Sequence, residues 1–140
     1  MKLQAKCYDN KTEYCIMYGC LYDWETAKNA CPSGWHLPSG AEWDVLMTAV
    51  GGKEVAGGKL KAKSGWSNNG NGTDEYGFTA LPGGSGYHNG RFGGVGELSY
   101  WWSSTANGRG HAVICGMSNN ERAECAYDDG NYLSVRCVRD

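Results

Sequence analysis

A chain of 140 residues with a formal net charge of -2 is long enough for one sizeable core and too short for two. That charge gives no drive toward nucleic acid, no Lys/Arg cluster marks a phosphate-binding face, and no stretch is apolar enough to span a membrane. With 22 glycines, 6 Trp and 9 Tyr, against an ordinary glycine share of roughly 7%, the composition describes a loop-rich domain held by aromatic packing.

Residues 1–22 are polar with isolated apolar positions (Ile16, Met17, Tyr18, Leu21, Tyr22), which predicts short strands around a turn at Asp9–Thr12. The opening MKLQAKCYDN lacks the apolar core of a signal peptide, so a piece of a longer protein, a recombinant segment or a phage-type product released without secretion is expected. Asp23 is the candidate cap of a first helix running to Ala30. Ser39 followed three residues later by Glu42 is a capping box, and Trp43, Leu46, Met47 and Val50 then form one apolar stripe at i, i+3, i+4 and i+7. Gly51–Gly52 ends that second helix. Residues 53–63 read as a weak helical turn with Val55, Leu60 and Ala62 facing in, and 64–77 as a Gly/Asn-rich loop. Phe78–Leu81 alternates like a strand, 84–99 is loop, and the end is β: Tyr100–Thr105, a segment near 110–117, and Leu133–Val138.

Catalytic groups are few. His36 reads as a packed histidine bonded to backbone, and no carboxylate or nucleophile stands at a telling spacing from His88 or His111. Gly83-Gly84-Ser85-Gly86-Tyr87 fails the nucleophile-elbow pattern at Tyr87 and is read as a turn. Asn68–Asp74 and Asp128–Asn131 offer oxygen ligands without EF-hand spacing, and turn chemistry accounts for both. The seven cysteines (Cys7, Cys15, Cys20, Cys31, Cys115, Cys125, Cys137) point to an oxidising compartment, contain no C-x-x-C pair, and leave at least one without an intrachain partner.

Trp35-His36-Leu37-Pro38-Ser39-x-x-Glu42-Trp43 resembles the signature of the Fibrobacter succinogenes major paralogous domain. The likeness continues through Leu21-Tyr22-Asp23-Trp24, Gly70 to Phe78, Ala80-Leu81-Pro82-Gly83-Gly84, Trp101 to Thr105 and Ser134 to Asp140. The motifs are similar, more distantly, to those of formylglycine-generating enzymes, and both groups have C-type-lectin-like folds. The resemblance therefore implies one α+β domain over 1–140: two short helices packed on a small twisted antiparallel sheet, with long loops. It also implies a Cys31–Cys137 disulfide, beside a Cys7–Cys15 bridge that would close a small hairpin over the polar turn, with Cys20, Cys115 and Cys125 left over. The lectin calcium tripeptides are absent, which tells against calcium-dependent sugar binding of the usual kind. The copper-binding cysteine motif of formylglycine-generating enzymes is not matched around Cys115 and Cys125.

Residues 106–132 stand between two family-like frames and keep neither helical nor strand periodicity for long. Relatives are Asn- and Tyr-rich there, whereas this chain holds the mixture that arises when adenines of AAC or AAT codons are replaced. The window resembles the diversified segment of retroelement variable proteins. The expectation is a non-catalytic ligand-binding domain that uses no cofactor or metal, contacting a protein or glycan on a cell surface, itself extracellular, surface-borne or on a phage particle. The recognition residues would be Tyr87, His88, Arg91, Tyr100, Asn107, Arg109, His111, Val113, Asn119, Arg122, Tyr127, Asp129 and Tyr132, since loops on a rigid scaffold carry binding and Tyr and Arg supply contact area. The alternatives are an oxidoreductase of the formylglycine-generating type and a structural surface module without a specific ligand.

Overall fold

A computed structural model describes residues 5–128 and 130–140. Within them the chain is α+β, with short helices and several small sheets, all antiparallel. No helix among the described residues is long and apolar enough to cross a membrane.

Strand β1 (Ala5–Lys6) pairs with β2 (Leu21–Tyr22). Between them, where the sequence suggested strands, lie a 3-10 turn (Tyr8–Asn10) and helix α1 (Thr12–Tyr18). Asp9 and Asn10 take left-handed backbone angles, which asparagine and aspartate tolerate, and so aim the chain into a helical turn at Thr12. Helix α1 buries no side chain, and Ile16 stands 83% exposed, so no apolar stripe announces it. Helix α2 (Trp24–Ala27) starts where expected, with Asp23 Oδ1 accepting from the Thr26 N–H at 2.8 Å, but stops three residues earlier than Ala30.

Strand β3 (Trp35–His36) leads into helix α3 (Gly40–Ala49), whose capping box is complete: Ser39 Oγ accepts from Glu42 N, and Glu42 Oε1 accepts from Ser39 N. Trp43, Met47 and Val50 are buried and Leu46 half-buried, the face that the spacing predicted. Helix α4 (Lys53–Leu60) is eight residues long, a full helix rather than a weak turn. Its Gly57 lets another backbone come close, since a Cβ there would meet the Arg122 carbonyl oxygen at 2.2 Å. Lys61 follows and is 1% exposed, its Nζ donating to the carbonyls of Ser118 and Asn120 at 2.7 and 2.8 Å. Burial pushes its pKa down.

Phe78–Leu81 is not a strand. Asp74 accepts from both the backbone N–H and the hydroxyl of Thr79, holding Thr79 left-handed (φ 53°), and Ala80 makes a single bridge to Lys61. Strands β4 (Ser85–Gly86) and β5 (Phe92–Gly93) form a small hairpin, so Ser85 sits buried in a strand rather than a turn. The largest sheet is the meander β6 (Ser99–Ala106), β7 (Ala112–Met117) and β8 (Ala123–Asp128). Strand β9 is only Val138–Arg139, paired with β3; the rest of the expected Leu133–Val138 strand makes isolated bridges at Leu133 and Ser134.

Two cores flank the meander. Period-2 alternation sends Trp101 to one face, against Trp43, Met47, Leu60 and Met117, and Trp102 to the other, against Leu37, Ile114 and Leu133. Three of the buried indoles donate to carbonyls: Trp102 Nε1 to Tyr22 at 2.6 Å, Trp66 Nε1 to Ala80 at 3.0 Å and Trp43 Nε1 to Trp102 at 3.4 Å. Disulfides join Cys7 to Cys15, Cys31 to Cys137 and Cys115 to Cys125, which is chemistry of an oxidising environment.

Candidate recognition surface

The window 106–132 is mostly a β-hairpin rather than an irregular segment. Strands β7 and β8 pair in continuous register from Ala112–Asp128 to Met117–Ala123, and Cys115 faces Cys125 and is bonded to it. Both faces of β7 are core: Ala112 and Ile114 are buried on one, Cys115 and Met117 on the other. The segment's side chains therefore meet solvent in its turns and along much of β8, but not along β7.

At one end of the hairpin the β6–β7 turn is built on Asn107. Its backbone N–H donates to the His111 carbonyl at 2.8 Å, and its Oδ1 accepts from the N–H groups of Arg109 and His111 at 2.8 and 3.0 Å. Tyr127 projects beside this turn, 61% exposed, opposite Val113 in the register. Asn107, Arg109, His111 and Tyr127 line an open hollow of about 590 Å³. On its other side Tyr127 borders a cleft of about 430 Å³ shared with Gly40, Asp44, Lys53, Thr105 and Val113. Sequence reasoning missed Asp44, Lys53 and Thr105 as neighbours of this surface. Nothing in their own stretches marks them, because α3 and β6 meet only through the fold, where Gly40 N donates to Thr105 Oγ1 at 2.9 Å.

The loop joining β4 to β5 carries Tyr87, His88 and Arg91, all exposed. It is closed by Tyr87 N donating to the Arg91 carbonyl and by Asn89 Oδ1 accepting from Arg91 N. Tyr132 is half-buried and exchanges both backbone hydrogen bonds with Gly86, while Lys6 Nζ lies 4.5 Å from the centre of its ring. Asp128 closes the turn before it, accepting from the N–H groups of Gly130 and Asn131, and Gly130 comes close to His88. This loop thus adjoins the residues that follow the end of β8.

The remaining expected residues are placed elsewhere. Asn119 and Arg122 lie in the β7–β8 turn, at the opposite end of the hairpin, where Arg122 is ion-paired with Glu54 and Glu124. Six residues of β7 separate the two turns, about 20 Å at a strand's rise. Tyr100 is half-buried near the start of β6, its ring against Gly116, where a Cβ would meet it at 2.2 Å. Asp129 lies outside the described residues. One cluster therefore unites Asn107, Arg109, His111, Val113 and Tyr127, with the Tyr87–Arg91 loop near the end of β8; Asn119 and Arg122 form a separate patch.

His36 is neither packed nor bonded to backbone. Its Nδ1 pairs with Asp140 at 2.7 Å and its Nε2 with Glu42 at 2.9 Å, and all three side chains are substantially exposed. The hydrogen bonds to Glu42 and then Asp140 raise its pKa, while the Ser39 N–H and then His36 hold Glu42 below the ordinary carboxylate value. An apolar groove of about 580 Å³ lies beside α3, floored by Trp43, Leu46 and Phe78 and edged by Arg136. It contains none of the expected recognition residues. Arg136 is satisfied there by the Phe78 carbonyl and ring.

The family model of the Fibrobacter succinogenes major domain matches residues 2–139. Comparisons with curated proteins and with solved structures find no match. The chain belongs to the Fibrobacter succinogenes major domain family.

Proposed function

We propose that this member of the family is a non-catalytic ligand-binding module with a C-type-lectin-like fold. Its recognition surface is the end of the hairpin that carries Asn107, Arg109, His111, Val113 and Tyr127, extended by the Tyr87–Arg91 loop. The observation that carries the reading is Tyr127: a large aromatic side chain left 61% exposed, between two hollows, on a hairpin stapled by Cys115–Cys125. Tyrosine and arginine on a rigid support lose little entropy on binding and give broad contact. The ligand is a protein or glycan on a cell surface, and the three disulfides favour a place outside the cytoplasm, on a cell surface or phage particle. The exposed positions of 106–132 are those that retroelement-type diversification would vary.

The test compares the parent with a Tyr127→Ala/Arg109→Ala variant on a glycan array and on intact bacterial cells. Binding by the parent that falls at least tenfold in the variant, with an unchanged melt, supports the reading. A variant that binds as the parent does moves recognition away from this end.

A further inference from the structure

Three sulfurs meet at the N-terminal end of the chain. Cys7 and Cys15 form a disulfide, and Cys20, two residues past the end of α1, is a free, half-buried thiol. Its Sγ lies 3.0 Å from Cys15 Sγ, closer than non-bonded sulfurs ordinarily pack, and all three sulfur atoms lie within 4.8 Å of one another. Cys20 also borders a hollow of about 240 Å³ that admits small reagents. A disulfide is exchanged when a thiolate attacks one of its sulfurs, and here a thiol is already in contact with one.

We infer that Cys7, Cys15 and Cys20 form an intramolecular thiol–disulfide exchange site. The Cys20 thiolate attacks Cys15 Sγ, the Cys15–Cys20 bond forms, the Cys7–Cys15 bond breaks, and Cys7 leaves as a thiolate that takes up the proton Cys20 gave away. One disulfide and one thiol stand on each side of the step, so it needs no oxidant or reductant. Cys115–Cys125 and Cys31–Cys137 take no part.

The exchange reaches the proposed recognition surface, and this consequence rests on that reading. Cys7 immediately precedes the 3-10 turn of Tyr8. Tyr8 packs on Phe92 of β5 at 5.4 Å between ring centres, and its hydroxyl accepts from Val95 N at 3.4 Å. Releasing Cys7 from α1 thus unties the support of the hairpin that holds Tyr87–Arg91.

Disulfide mapping tests the site independently of any ligand. Native protein is incubated without reductant, acid-quenched to remove thiolate, labelled with N-ethylmaleimide under conditions that halt exchange, and digested without reduction. Two isomers are expected: label on Cys20 with Cys7–Cys15 intact, and label on Cys7 with Cys15–Cys20 formed. The second should reach about one molecule in ten, the ratio set by about 1.4 kcal/mol. Cys20→Ser should abolish label on Cys7. Cys7→Ser should leave no reactive thiol, because Cys15 and Cys20 then bond to each other. Label confined to Cys20 in the parent, or label on both Cys15 and Cys20 in Cys7→Ser, overturns the inference.

Discussion

Asn107 sits inside the stretch proposed to vary, yet the structure ties it down. Its Oδ1 accepts from two backbone N–H groups, those of Arg109 and His111, at 2.8 and 3.0 Å. Asn107→Ala removes both bonds. A hydrogen bond of this kind contributes about 0.5–1.5 kcal/mol, and water can replace part of it in an exposed turn, so the net loss is about 1–2 kcal/mol. Urea unfolding with the disulfides intact measures it: at a slope of about 2 kcal/mol per molar, the midpoint falls by roughly 0.5–1 M with the slope unchanged. Asn107→Asp keeps the acceptor and should stay within about 0.5 kcal/mol of the parent. Arg122→Ala gives the contrast, since exposed ion pairs such as those with Glu54 and Glu124 contribute about 0–1 kcal/mol. If Asn107→Ala unfolds at the parent's midpoint, the side chain does not organise the turn and the reasoning fails.

Disulfide removal should rank by loop length. Replacing Cys31 and Cys137 by Ala opens a separation of 106 residues and should cost about 5 kcal/mol, against about 3 kcal/mol for Cys115 and Cys125 with a separation of 10; denaturant titration that reverses the order would refute the chain-entropy account. For pH, raised His36 contributes stability that is complete below its ordinary 6.5 and lost as pH climbs through its higher folded value. Lowered Glu42 contributes stability that is complete above its ordinary 4.5 and lost as pH falls through its lower folded value. The pair is therefore at full strength between those two ordinary values, and His36→Gln should flatten the alkaline limb of a melting-temperature profile and weaken the acid limb without abolishing it, because the Ser39 N–H still holds Glu42. An alkaline limb unchanged in His36→Gln would show that the histidine is not its source.

What could be read from residues alone was whatever carries its own local chemistry. Ser39, Glu42, Trp43 and Met47 announce α3 because cap, partner and buried stripe all lie within one short run. Asp23 likewise marks the start of α2. Helix α1 was hidden because it buries nothing, so Ile16 and Met17 looked like strand residues waiting for a core. Strand β8 was hidden because Ala123, Cys125 and Tyr127 alternate with Glu124 and Ala126, too little apolar contrast to show the period. A signal was nonetheless present: Cys115 and Cys125 lie equally far from the polar turn Ser118–Arg122, as cross-strand partners must. Lys61 carried none. Its stretch reads as a solvated face, and only the arrival of the Ser118 and Asn120 carbonyls makes a buried ammonium tolerable.

The same alternation limits how a surface on this hairpin could change. Strand side chains point to opposite faces in turn, and on β7 both faces are covered by a core. Ile114 and Met117 fill the two cores, Cys115 is bonded, and Gly116 has the Tyr100 ring where a side chain would be. Asn107 is held by its turn. Random replacement across the whole window would therefore strike core positions as well as surface ones. Substitution that keeps the fold is confined to Arg109, His111, Asn119 and Arg122 in the turns and to outward positions of β8 such as Glu124, Ala126 and Tyr127, all exposed or half-buried. Of these, Arg109, His111 and Tyr127 share one hollow. Three adjoining positions on a stapled hairpin can exchange shape and charge without moving the backbone that carries them, which is the physical requirement of a recognition surface that changes while its scaffold does not.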